Sequence, residues 1–289
     1  MEPISLIDGR MPIWAIFKRS YGYVWENRNR FMVPILVVFL VNLAGTVGPA
    51  TILEPAKITF GSMFLGWGFL LGNWFVSMAF AVGIHRAVLL DEVRCGIAVL
   101  RWDRNLLRFF GTVLLLGLLF VLFGLASSAV LGLVLGIVFP VGRTGAAPLI
   151  GVLLGGPLAV WFVAILVLQR LLLSLPAAAI GKPGGVVLSW RATRGNWLRL
   201  IAVSDLTILP PAVLGLLFSV RNLGEAIKTG SFPLSPTDTS SLVVSVIHSA
   251  LVATTIPIIA VMFSRSYDVL VRGGGPMGPT TSRPIAGQN

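Results

Sequence analysis

An all-α, polytopic membrane fold is what this chain predicts, and three observations carry the prediction. Apolar residues make up 56% and charged residues only 11% of the 289, with mean hydropathy +0.91, whereas soluble domains hold about 25% charged residues. The apolar residues gather into six runs that fit a bilayer core of about 30 Å, which takes roughly 20 helical residues to cross. The 22 Lys and Arg residues are also strongly skewed. All but Lys57, Arg143, Arg221 and Lys228 fall in the N-terminal tail, the second and fourth connections and the C-terminal tail. By the positive-inside rule both termini and those two connections face the cytoplasm.

The spans follow in order. The first runs over about residues 31–47 and stops at Gly48-Pro49. The second, about 62–84, ends at His85-Arg86. The third, about 109–139, is longer than the bilayer at about 1.5 Å per residue, so it tilts, kinks near Gly124 or projects from the lipid. The fourth covers about 149–173, with Arg170 at its cytoplasmic end free to snorkel. In the fifth, about 200–220, Pro210-Pro211 removes two backbone donors, which predicts a kink or break. The sixth, about 242–263, carries Pro257. Together they form one membrane domain over residues 1–272, and the Gly- and Pro-rich tail 273–289 reads as disordered.

A net charge of +11 in a soluble protein would suggest nucleic acid. Here the charges are dispersed at span ends, which fits orientation and attraction to anionic headgroups and excludes a nucleic-acid partner. The single Cys95 excludes an intrachain disulfide and any multi-cysteine metal site. Residues 1–30 contain no apolar run of the kind a cleaved signal peptide needs, so the first span is expected to be the targeting signal.

The segments preceding the odd-numbered spans resemble one another. The first is Trp25-Glu26-Asn27-Arg28-Asn29-Arg30-Phe31. The second is Trp102-Asp103-Arg104-Asn105-Leu106-Leu107-Arg108-Phe109, and the third runs from Trp190 through Arg191, Arg194, Asn196 and Trp197 to Arg199. Trp suits headgroup level, Arg meets lipid phosphate and Asn caps backbone groups where an interfacial helix turns into the membrane. Three copies of such a segment plus two spans would build a parallel, pseudo-threefold bundle. Placement at a membrane boundary alone also favours Trp and Arg at each turn.

Three strings carry a family resemblance. They are Ile84-His85-Arg86-Ala87-Val88-Leu89-Leu90-Asp91-Glu92, Leu173-Ser174-Leu175-Pro176-Ala177-Ala178-Ala179 and Ser189-Trp190-Arg191-Ala192-Thr193-Arg194-Gly195-Asn196. In them the chain resembles a family of uncharacterised six-span membrane proteins of alphaproteobacterial type. That family is similar to the membrane domain attached to some glycerophosphodiester phosphodiesterases. The resemblance implies a multi-pass protein of the bacterial inner membrane. It implies architecture and no catalysis, because the phosphodiesterase of such fusions is a separate soluble barrel.

Single residues add candidates. Asp205 lies inside the fifth span, about a turn and a half from Arg199. An intramembrane carboxylate costs about 2.5–3.5 kcal/mol at a helix centre, so it marks either a functional site or, at this shallow depth, an ion pair or polar contact. His85 reads as a boundary residue that helps Arg86 face the headgroups. Haem ligation with His248 would need both rings at one depth, and the topology puts them near opposite faces. Asp91-Glu92 sits among Arg86, Arg94, Arg101 and Arg104, where ion pairing is expected. Asn42, Asn73, Gln169, Ser245, Thr254 and Thr255 are expected to hydrogen-bond between helices. Gly68-xxx-Gly72, Gly132-xxx-Gly136 and Gly151-xxx-Gly155 offer small faces for close helix approach. Gly273, Gly275 and Gly278 match a dinucleotide spacing, but no helix follows them and the match reads as chance.

The candidate functional residues are therefore Asp205, Arg199, His85, Arg86, Glu92, Trp190, Arg194 and Asn196. No catalytic, cofactor or metal pattern is present in the sequence. The pattern points to a non-enzymatic scaffold, assembly or lipid-binding membrane protein, with a membrane partner or second copy. A transporter built on the kinked fifth span is the alternative, and a membrane-embedded lipid enzyme the third reading.

Overall fold

The structure, a computed structural model, describes residues 10–52, 60–92, 94–138, 166–182, 185–229 and 239–273. The regular elements among them are helices: α1 (Ile13–Glu26), α2 (Arg28–Ile52), α3 (Phe60–Leu90), α4 (Arg104–Val138), α5 (Ser174–Ala179), α6 (Gly185–Ala192), α7 (Trp197–Thr229) and α8 (Thr239–Val271), with a 3-10 turn over Gly96–Val99 between α3 and α4. Five of them, α2, α3, α4, α7 and α8, are long and apolar enough to cross a membrane. Large apolar side chains stay exposed along them: Leu36 and Leu40 on α2, Leu118 and Leu122 on α4, Leu209 and Leu216 on α7. Apolar surface on that scale is stable only against lipid.

Most of the fourth expected span, residues 149–165, lies outside the described residues, as do the connection 139–148 ahead of it, the 230–238 connection and the tail beyond residue 273. The other spans are found, with longer ends. Gly48-Pro49 does not stop α2, which continues to Ile52. His85-Arg86 does not end α3, which adds a further turn to Leu90. The sixth span continues past Phe263 to Val271. Hydropathy locates the lipid-facing part of a helix but is blind to a polar extension that packs on other protein.

Both spans expected to be irregular are continuous as helix. α4 passes through Gly124 and runs for 35 residues, longer than a bilayer core requires. α7 runs unbroken through Pro210 and Pro211. The gap left by Pro211 is filled from a distant helix. Pro211 has no N–H for the carbonyl of Thr207, four residues back. The Tyr21 hydroxyl on α1 donates to that carbonyl at 2.8 Å and fills the gap. Burial raises the Tyr21 phenol above its ordinary pKa, which keeps the donor protonated.

α8 is the hub, packing against α1, α2, α3, α5, α6 and α7. Ala260, Val261, Met262, Phe263 and Ser264 are buried in succession, so this stretch is enclosed all round. One cluster joins Phe31, Val38, Phe80, Ile84 and Val261 from α2, α3 and α8. A second joins Ile16, Leu173, Leu200, Met262 and Tyr267, which pins α1 and α5 to the same hub. The 3-10 turn crosses α3 at Gly83, where an added Cβ would lie 1.9 Å from the Val99 carbonyl oxygen. Only glycine permits that approach. The approach also lets the Arg101 amide donate to the Ala79 carbonyl.

Of the glycine faces read from the sequence, Gly68-xxx-Gly72 makes no such approach within the chain. A Cβ on Gly68 or Gly72 would meet nothing within 4 Å, and the Gly132 and Gly151 faces lie outside the residues whose side chains are described. The expected hydrogen bond between spans is present: Asn73 Nδ2 donates to Asn42 Oδ1 at 2.8 Å. Thr254 and Thr255, by contrast, donate to carbonyls of their own helix.

Candidate functional site

The beginnings of α2, α4 and α7 and the ends of α3 and α8 converge on one end of the bundle, and the arginines gather there. Arg272 at the end of α8 donates to the Leu89 carbonyl at the end of α3. Arg199 at the start of α7 donates to the Met11 carbonyl ahead of α1. Asn196 Oδ1 accepts the Met11 amide at 2.9 Å, so both residues hold the α1 segment against the α6–α7 turn. This end is the basic end of the molecule.

Each Trp-Asn-Arg segment forms a turn into a long helix at this end: α1 into α2, the 3-10 turn into α4, and α6 into α7. Trp25, Trp102 and Trp190 are 70%, 63% and 44% exposed, which frees their rings for an interface. The asparagines differ in detail. Asn27 Nδ2 donates back to the Tyr23 carbonyl, whereas the amide of Asn105 bonds the Asp103 carboxylate, a side-chain cap on α4. The three turns share a position and not a hydrogen-bond scheme.

Glu92, just past α3, accepts from both Arg86 and Arg101, and Arg94 lies 4.0 Å away. Arg86 and Arg101 side chains are 16% and 12% exposed, and Glu92 27%. Burial, and then the nearby Arg86 charge, lower the Arg101 guanidinium below its ordinary pKa. One carboxylate thus ties the end of α3 to the loop before α4, within a group that keeps a cationic excess. Asp91 takes a left-handed backbone, φ 53°, at the end of α3, which Asp tolerates better than most residues.

Around α6 no acidic partner stands against the arginines among the described residues. Arg170 stacks its guanidinium 3.7 Å from the Trp190 ring centroid and donates to the Trp190 carbonyl. Ser189 Oγ in turn donates to the Arg170 carbonyl. Arg170 is thereby fixed in one pose and does not snorkel freely. It lines a cleft of about 430 Å³ with Trp190, Arg191, Arg194, Gly195 and Trp197, and among the described residues no acidic side chain lines it. A neighbouring cleft of about 300 Å³ presents Arg108 and Lys182, again with no acid.

His85 departs from expectation, and Asp205 makes the polar contact that is one of its two readings. His85 is 2% exposed, its Nδ1 lies 2.7 Å from Ser264 Oγ and its ring packs on Phe109. It is a core residue, because α3 continues beyond it and α8 covers it. His248 is exposed and, at about 1.5 Å per residue, lies about 24 Å along α8 from Ser264. A shared haem is therefore geometrically excluded. Asp205 is exposed and does not pair with Arg199, which is taken by Met11. Its partner is Gln169, whose Nε2 lies 3.5 Å from Asp205 Oδ1.

Sequence reasoning found the arginines but missed three long-range contacts, Tyr21 on the Thr207 carbonyl, Ser264 on His85 and the stack of Arg170 on Trp190. These contacts join residues far apart in the chain, and no local pattern announces them. No protein-family model, curated protein or solved structure matches the chain. The fold and the apolar helices define an all-helical membrane protein, and nothing in them indicates an activity.

Proposed function

We propose that this protein is a non-enzymatic, lipid-binding scaffold of the bacterial inner membrane, with its basic end in the cytoplasm and anionic headgroups held there. The carrying observation is the Arg170–Trp190–Arg191–Arg194–Trp197 cleft, with no acid in its lining. Arg191 and Arg194 are exposed at its edge. Phosphate oxygens suit guanidinium forks, and Trp rings suit the glycerol level beneath them. Six spans, both termini in the cytoplasm and membership of the six-span family form part of the same reading. The skewed basic residues and the three quoted strings support it. The threefold repeat is supported by the shared placement of the Trp-Asn-Arg turns.

The direct test is lipid retention. Native mass spectrometry of the purified protein should find phosphatidylglycerol retained over phosphatidylcholine. At about 1 kcal/mol per cation near an anionic surface, Arg191→Ala with Arg194→Ala should weaken retention roughly thirtyfold. Equal retention of both lipids, or an unaffected double variant, would refute the headgroup site. The scaffold role predicts a stable partner or homo-oligomer in mild detergent, and a clean monomer would count against it.

A further inference from the structure

A cavity of about 630 Å³ lies between α3, α4, α7, α8 and residues 168–175, away from the basic clefts. Sites for small organic ligands span about 300–1,000 Å³, so the volume is ample. One wall is a stripe on α3 at four-residue spacing, Asn73, Ser77, Ala81 and His85, with Phe109 facing it. Among the described residues no Lys, Arg, Asp or Glu lines the cavity. A charged headgroup would therefore be buried without a counter-charge, at a cost of several kcal/mol. That lining suits a neutral occupant.

The hydrogen bonds further define it. Ser264 has a single hydroxyl proton, and it goes to the Ala260 carbonyl at 2.8 Å. With that proton placed so, Ser264 Oγ accepts in its 2.7 Å contact with His85 Nδ1 and the imidazole donates, the tautomer on which the site is built. A neutral imidazole with its proton on Nδ1 leaves Nε2 as an acceptor. Two further acceptors in the wall, Asn73 Oδ1 and Gln169 Oε1, are buried with no partner. Each unsatisfied acceptor costs about 1–3 kcal/mol, so the site is short of donors and rich in apolar contact.

We propose that this cavity binds a neutral, single-chain lipid whose headgroup is a hydroxyl, with the chain along the α3 stripe and the hydroxyl donating to His85 Nε2. The site is independent of the basic clefts. The experiment is photolabelling in phosphatidylcholine nanodiscs with a monoacylglycerol carrying a diazirine in its chain. Labelling should map to residues 73–85 and saturate. Unlabelled monooleoylglycerol should compete, and phosphatidylglycerol should not. Ala81→Phe should abolish the labelling by filling the cavity. His85→Phe, which keeps the ring and loses the acceptor, should raise the competing concentration about tenfold. Unsaturable labelling, or labelling confined to the lipid-facing Leu118 and Leu122, would overturn the proposal whether or not either variant folds. Competition by phosphatidylglycerol would overturn it equally, by assigning the cavity to bulk phospholipid. The Arg191→Ala, Arg194→Ala protein should label normally, so failure here and failure of the headgroup site are separable.

Discussion

Single side chains set the close contacts that hold this bundle in register. Gly83 is the clearest, since the Val99 carbonyl occupies the space a methyl group would need. Backbone cannot move aside as a flexible side chain can. Gly83→Ala should destabilise the protein by about 1–3 kcal/mol, measured by thermal unfolding in detergent. Gly68→Ala, with open space around it, is the control and should leave unfolding unchanged. Tyr21 supplies a second test. Its hydroxyl replaces the amide that Pro211 lacks, so Tyr21→Phe should cost about 1 kcal/mol. In a Pro211→Ala background, where the helix makes its own bond to Thr207, the same change should cost much less. Equal costs in both backgrounds would show that the hydroxyl is not bridging the proline gap.

At the scale of elements, the spans were legible because lipid reads only the average apolarity of a helix surface. Their ends were not. α3 outlasts its expected end at residue 84 because Arg86 is neutralised by Glu92 and His85 is satisfied by Ser264. A polar pair reads in sequence as the membrane boundary, yet here it is the start of protein-covered helix. The same holds for the last turns of α8, where Arg265 lies over the Tyr23 ring and Arg272 over that of Tyr267. Glu92 is the joint between α3 and the approach to α4. Glu92→Gln leaves Arg86 and Arg101 without their counter-charge. It should cost about 2–3 kcal/mol of unfolding free energy, less than the about 3–5 of a fully buried pair because Glu92 keeps some solvent. Asp91→Asn, at a residue with no ion pair among the described contacts, should be near neutral in the same assay.

The whole molecule divides into a basic end and a broad apolar girdle. The girdle predicts its own test. Leu118 faces outward on α4, and Leu118→Arg should add about 2.5–3.5 kcal/mol to insertion, read as reduced membrane-inserted protein. Orientation is checked with reporters fused after Lys57 and after Asp268. Cytoplasmic activity at the first position would sink the six-span arrangement, and activity at the second alone would support it.

By itself the sequence determined the solvent of this protein, the positions of its membrane-crossing helices and the clustering of its cations at the segments that enter them. Those properties are sums over neighbouring residues, so composition and periodicity report them. Tertiary structure alone decided that His85 is a core residue, that Asp205 answers to Gln169 and not Arg199, that two prolines leave α7 intact and that Arg170 is locked over Trp190. Each of these depends on one atom meeting another from a distant part of the chain. In a bundle, packing around a shared hub makes those meetings, and local spacing carries no record of them.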